Sequence, residues 1–152
     1  MSNISFQAPT KAALDYISEN LRLADFEEYV MATGRHPYGL FAKRALAATV
    51  CLVAYRDGVP AAVLGYTDCG DHRAPWMMGT DQIEGHAVAR FLLEFGRPLV
   101  RSWAQEGKPL RHRVYAENEV HIKFIKMLGF EVDETSHHYG PLAAQFKEFR
   151  YV

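Results

Sequence analysis

The chain has 152 residues, with 17 Lys and Arg against 18 Asp and Glu, a formal charge of −1, and 49% hydrophobic residues. That length supports one domain over residues 1–152, burying about two thirds of its unfolded surface without a metal or disulfide staple. The near-neutral charge excludes a general electrostatic pull toward nucleic acid or membrane. Two cysteines, Cys51 and Cys69, are too few for a disulfide framework and suit a reducing compartment. No apolar run is long enough to cross a bilayer, and no signal-peptide pattern opens the chain.

Ile4-Ser5-Phe6 predicts a short first strand. Thr10 follows as an N-cap, ahead of a helix whose Leu14, Ile17 and Leu21 share a face. Asp25 opens the next helix as a partner of the positive helix end; Phe26, Tyr29 and Val30 form its apolar stripe and Gly34 stops it. Pro37 opens a third helix containing Leu40, Phe41, Arg44 and Leu46. Two apolar runs, Val50–Arg56 and Val59–Tyr66, flank Asp57-Gly58, which supplies the positive φ angles of a tight type I′ turn and so predicts an antiparallel hairpin. A polar loop leads to a strand at Pro75–Gly79, and Thr80 or Asp81 caps the next helix.

From Asp81 to Phe95 the period is helical, with Ile83, Ala87, Val88, Phe91 and Leu92 apolar. Gly96-Arg97-Pro98 interrupts it, so a second helix is expected from Pro98 to Gln105, with Val100, Trp103 and Ala104 on its buried side. His112–Ala116 alternates as a half-buried strand. Asn118 then caps a helix that places Val120, Phe124, Met127 and Leu128 on one face and stops at Gly129, before a strand beginning near Phe130. After a polar, His-bearing loop, Gln145–Tyr151 alternates strictly as a last strand. Cys69-Gly70-Asp71-His72 and His137-His138 hold metal-type donors but lack a second ligand pair at the spacing of structural zinc sites, so no metal is expected.

The segment Ala116–Val132, with Asn118 and Gly129-Phe130 at the ends of its helix, resembles the C-terminal βαβ of the GNAT acyltransferase superfamily. The resemblance implies an α/β (α+β) fold: a mixed sheet of six to seven strands, an N-terminal helical pair, a central antiparallel meander and a C-terminal βαβ. It implies an acyl-CoA cleft at Trp76, Met77, Met78, Gly79 and Asn118. Gln82-Ile83-Glu84-Gly85-His86-Ala87 matches the letters of the family's pyrophosphate loop, where backbone N–H groups and a helix dipole meet anionic oxygen. Here the motif lies inside a helical period, and Glu84 opposes an anion.

Acyl transfer to an amine needs a base, and usually a hydroxyl that protonates the departing thiolate. Ile125 stands where the family often has a Tyr, and Trp76-Met77-Met78 carries no acid; Tyr115, Glu117 and Glu119 are the replacements to consider, while His121 reads as a packing residue. Gly34-Arg35-His36-Pro37, the Trp76 strand, Arg97-Pro98, Asn118 and Tyr139-Gly140-Pro141 together are similar to GNAT-like proteins of tailed bacteriophages, including the small internal virion protein of short-tailed phages. That likeness implies a role in the virion, its assembly or genome delivery, other phage or host proteins as partners, and location in the cytoplasm of an infected bacterium or in the virion. The acyl-CoA site is then degenerate, with no cofactor expected and no enzymatic activity. The alternative is an acyl-CoA-dependent N-acetyltransferase that uses acetyl-CoA to modify a host protein or a small amine.

Overall fold

Asp57 and Gly58 stand at φ 50° and 81° in the computed structural model, which describes residues 3–104 and 107–152; they join β2 (Val50–Arg56) to β3 (Val59–Asp68) as the turn chemistry requires. β1 (Ile4–Gln7) pairs with β2, and β4 (Arg73–Gly79) pairs with β3, giving an antiparallel sheet in the order β1-β2-β3-β4. α1 (Lys11–Glu19), α2 (Leu23–Thr33) and α3 (Leu40–Ala47) lie between β1 and β2 in sequence. Thr10 Oγ1 accepts the Ala13 N–H at 3.1 Å, and Gly34 ends α2 in the left-handed conformation at φ 68°. Asp25 is more than a dipole partner: it is 2% exposed and hydrogen-bonded on both oxygens. Leu46 is solvent-facing, and α3 buries Phe41, Ala42 and Ala45 instead.

A 3₁₀ turn (Asp81–Glu84) leads to α4 (His86–Ala104), a single helix that runs through Gly96-Arg97-Pro98 where the sequence predicts a break between two. Val88, Leu92, Gly96, Val100 and Trp103 form an unbroken buried stripe, so burial continues across the interruption. Pro98 costs one backbone bond, to the Glu94 carbonyl, but both residues lie on the exposed side of the helix, where an unpaired carbonyl costs least. Arg97 Nε also donates to the Met127 carbonyl at 2.9 Å, fastening the same turn to the end of α5 (Glu119–Met127). The expected helix end at Gln105 lies outside the described residues.

The second sheet holds β5 (Arg111–Tyr115), β8 (Ala144–Tyr151) and β6 (Phe130–Val132) in that order, with β7 (His137–Tyr139) also on β8, and every pairing is antiparallel. β5, α5 and β6 make the βαβ unit, with β8 inserted between its two strands. Among the described residues eight strands thus form two four-stranded sheets; β7, three residues in a polar loop, carries no hydrophobic alternation to reveal it. α5 buries His121, Phe124 and Ile125, while Val120 and Met127 are about two-fifths exposed, a rotation of the predicted face. Buried His121 docks on Glu28 at 3.3 Å, and that polar anchor selects the face.

One core cluster, around Leu64, Met77, Val88, Leu92, Val114 and Phe124, lies on the α4 and α5 side of the first sheet. The other, around Leu14, Ile17, Tyr29, Phe41, Val63 and Met78, lies on the α1 to α3 side. The two sheets meet through a parallel bridge, Arg73 with Leu110, where the Arg73 N–H donates to the Pro109 carbonyl at 2.8 Å. Beyond it, no backbone hydrogen bond joins β4 to β5 among the described residues.

Candidate active site

That parting of β4 from β5 leaves backbone edges without strand partners. Thr80 donates to the Ala61 carbonyl at 2.9 Å, and the β3–β4 register is constant, so the alternation of an antiparallel ladder turns Met78, Trp76 and Ala74 toward β3. The backbone groups of Gly79, Met77 and Pro75 therefore face the cleft. Pro75 has no N–H, and Gly79 gives its own to Asp25 Oδ2 at 2.9 Å. Met77 is left as the residue whose N–H and C=O both open on the gap. Its side chain points to the α4 side, while those of Trp76 and Met78 point to the α1 to α3 side.

A cavity of about 620 Å³ fills the parting, lined on β4 by Trp76, Met77 and Met78, on β5 by His112 and Arg113, and on the helices by Glu28 and His121. Glu28 comes from α2 and is the carboxylate in this wall. Tyr115 N–H donates to its Oε1 at 3.0 Å, Asn118 Nδ2 approaches Oε1 at 3.4 Å, and His121 Nδ1 lies 3.3 Å from Oε2. Burial alone would depress the His121 pKa, but the Glu28 carboxylate, with Asp25 behind it, outweighs burial and raises it. Burial pushes the His112 imidazole the other way, down to about 4, so it is neutral at pH 7.

Asn118 lies at the centre of this network and is fully buried. Its Oδ1 accepts the His121 N–H at 3.4 Å, and its Nδ2 donates to Asp25 Oδ1 at 2.9 Å as well as approaching Glu28. Both ends of the amide are thus engaged with protein. Of the residues expected at an acyl-CoA cleft, Trp76, Met77 and Met78 line the cavity, while Gly79 and Asn118 support it from behind. Tyr115 hydrogen-bonds Glu117 through its hydroxyl, which pushes the phenol up to about 12. Ile125 is packed in the core at 4% exposure, so no hydroxyl enters from that turn.

The Gln82–Ala87 stretch is placed differently from its predicted helical interior. The 3₁₀ turn ends at Gly85, which has extended backbone at φ −71°, ψ 139°, and α4 begins at His86. The first backbone bond to the turn ahead is from Ala89 N–H to the Gly85 carbonyl at 3.0 Å, so the N–H groups of His86, Ala87 and Val88 are the free donors of a helix start. A Cβ at Gly85 would approach the Gln82 carbonyl to 3.1 Å, so glycine keeps this corner tight. Glu84 lies 3.7 Å from the Arg22 guanidinium, which offsets part of its charge.

Glu28 and His112, and Arg44, which lines the cavity from α3, are candidate site residues that the apolar strand and helix patterns around them do not mark. A signal for Glu28 does exist: Arg22, Asp25 and Glu28 recur every three residues along α2, a polar stripe beside buried Tyr29. What they face is not written in the helix.

No protein-family model matches the sequence, and no curated protein matches it. Solved structures do. Ribosomal-protein-alanine N-acetyltransferase from Brucella melitensis superposes with a TM-score of 0.70 at 14% identity, covering 97% of this chain and 99% of that one. The ribosomal-protein-S18-alanine N-acetyltransferase from Escherichia coli gives 0.65 at 18% identity, covering 99% and 93%. PaiA N-acetyltransferase from Thermoplasma acidophilum, solved in complex with coenzyme A, gives 0.63 at 15% identity, covering 98% and 99%. With two sheets parted between β4 and β5 and a helix starting just past the end of β4, the chain has the fold of the GNAT N-acetyltransferases.

Proposed function

We propose that the protein is an acyl-CoA-dependent N-acyltransferase. The observation that carries this reading is the edge of β4 at Met77, whose N–H and C=O open on a cavity between parted strands. The residues present fit acetyl-CoA: Met77 offers an amide-type pair to the pantetheine arm, and the N–H groups of His86, Ala87 and Val88 offer an anion site for the pyrophosphate. Bound there, acetyl-CoA supplies an acyl group activated as a thioester. The Met77 N–H is the donor available to an acyl carbonyl, where it favours negative charge developing on oxygen. Glu28 attracts the acceptor amine and takes its proton, while Tyr115 N–H, Asn118 and His121 hold the carboxylate in place.

The expectation of a degenerate site rests on Glu84, on a helix across the phosphate loop and on Ile125. The motif breaks at Gly85, between the 3₁₀ turn and the start of α4, and Glu84 has Arg22 beside it, leaving Ile125 and the lack of an acid on Trp76-Met77-Met78 as the departures from the family pattern. The geometry thus favours the enzyme over a virion protein without cofactor, whose support is the sequence resemblance to phage proteins. Calorimetric titration of the protein with acetyl-CoA tests this. Saturable binding in the micromolar range is expected, with thiol release when amines are added. No heat up to millimolar acetyl-CoA would overturn the reading.

A further inference from the structure

We infer that the acyl acceptor is a small amine with a flat apolar body and an anionic group, not the end of a polypeptide. This rests on reading the β4–β5 cavity as the acceptor side of an acyltransferase. The first observation is a closed wall. The turn after β7 places Gly140-Pro141 directly on the C-terminal turn of α2: a Cβ at Gly140 would come within 2.5 Å of the Met31 carbonyl, and one at Gly34 within 2.7 Å of Pro141 Cγ. Both glycines have positive φ, 80° and 68°, so the contact is held by backbone that only glycine adopts without strain. Tyr139 and Thr33, on either side of this contact, both line the cavity. A polypeptide crossing β4 and β5 has no way out on that side, whereas a small molecule or a chain end needs none; the lining and its charge decide between those two.

The second observation is the lining. Tyr29, Phe41 and Trp76 pack edge to face, with ring centroids 6.2 and 6.3 Å apart, and Tyr139 and Phe146 form a second such pair at 5.2 Å. Walls of that kind accept a flat apolar body. The third is charge. Glu28 faces His121, so the other charged groups of the wall, Arg44 and Arg113, leave an excess of positive charge. No ion pair joins Arg44 to a carboxylate among the described residues, and Arg113 lies over the Tyr139 ring at 4.5 Å with half-exposed Glu148 3.8 Å away. Beside Arg44, the Tyr29 hydroxyl is buried without a well-formed hydrogen bond in a residue 7% exposed. A carboxylate on the acceptor would satisfy that hydroxyl and pair with Arg44, while the amine turns to Glu28.

Quenching of Trp76 fluorescence in the protein without acetyl-CoA tests the acceptor class independently of turnover. The probes are L-phenylalanine, phenethylamine, spermidine and a tetrapeptide with N-terminal alanine, and Trp76→Phe identifies the reporting tryptophan. L-Phenylalanine is expected to bind about tenfold more tightly than phenethylamine, the margin of one charge-assisted contact, with no response to spermidine or the peptide. In Arg44→Ala that margin should fall to about twofold or less. Equal binding of phenethylamine, tighter binding of the peptide, or no binding by L-phenylalanine would each overturn the inference. Acetyl-CoA titration separates the two readings: binding of acetyl-CoA without L-phenylalanine refutes the acceptor class alone, and the reverse refutes the acyl-donor reading.

Discussion

Asp25 Oδ2 accepts the Gly79 N–H at 2.9 Å across 54 residues of sequence, so the first turn of α2 closes the end of the β4 edge. Its other oxygen takes Arg22 at 2.8 Å and Asn118 at 2.9 Å, all inside the protein. Burial raises the Asp25 pKa despite the opposing pull of His121, Asn118 and Arg22, so ionising this group costs part of what its contacts supply. Asp25→Ala removes the acceptor and leaves buried Arg22, among the described residues, with half-exposed Glu84 at 3.7 Å. Urea unfolding should show a loss of about 3–5 kcal/mol. A change below about 1 kcal/mol would mean that the contacts and the burial cost cancel.

Glu28→Gln keeps the shape of the carboxylate and removes its charge. Turnover of an accepted amine with acetyl-CoA should fall by about a hundredfold or more, while acetyl-CoA affinity by calorimetry stays within about threefold. Retained turnover would assign the amine proton to another group, with His112 next in the same wall.

The two imidazoles give stability opposite dependences on pH. His112 has its folded pKa lowered to about 4 from 6.5, so its contribution is present above 6.5 and is lost as pH falls toward 4, where the unfolded chain binds the proton first. His121 has its folded pKa raised, so its contribution is present below 6.5 and is lost as pH rises through the folded value. Thermal melts across pH should therefore lose slope on the acid side in His112→Phe and on the alkaline side in His121→Gln. Parallel profiles for wild type and both variants would contradict the assignments.

His86 is exposed in the first turn of α4. A carboxylate there suits the helix dipole but opposes a phosphate. His86→Glu should hold or slightly raise the melting temperature while weakening acetyl-CoA binding about tenfold at low salt, and added salt should narrow the gap. Unchanged affinity would move the pyrophosphate away from this helix start.

Gly140→Ala brings a Cβ to 2.5 Å from the Met31 carbonyl at a φ of 80°. A loss of about 2 kcal/mol or more in chemical denaturation is expected from strain and displacement together. A neutral substitution would show that the turn and α2 separate easily.

Elements whose signals are local could be read from the residues alone. Asp57-Gly58 takes the positive φ of a tight turn, Thr10 and Asn118 offer cap oxygens, and Gly34 and Gly129 end helices in backbone that other residues resist. Those choices depend on a few adjacent residues, and with the Asn118–Phe130 pattern they made the GNAT-like architecture legible. The same locality misled at Pro98, where the lost bond is local but the buried stripe from Val88 to Trp103 decides, and at α5, where two faces are comparably apolar and the contact of His121 with Glu28 selects one. The candidate site was legible only along β4. Glu28, His121 and His112 come from α2, α5 and β5, and only the packing of those elements around the parted strands puts their side chains against one cavity. Tertiary structure also set their protonation, because an imidazole's charge depends on burial and on the carboxylate it meets, neither of which a linear pattern of residues specifies.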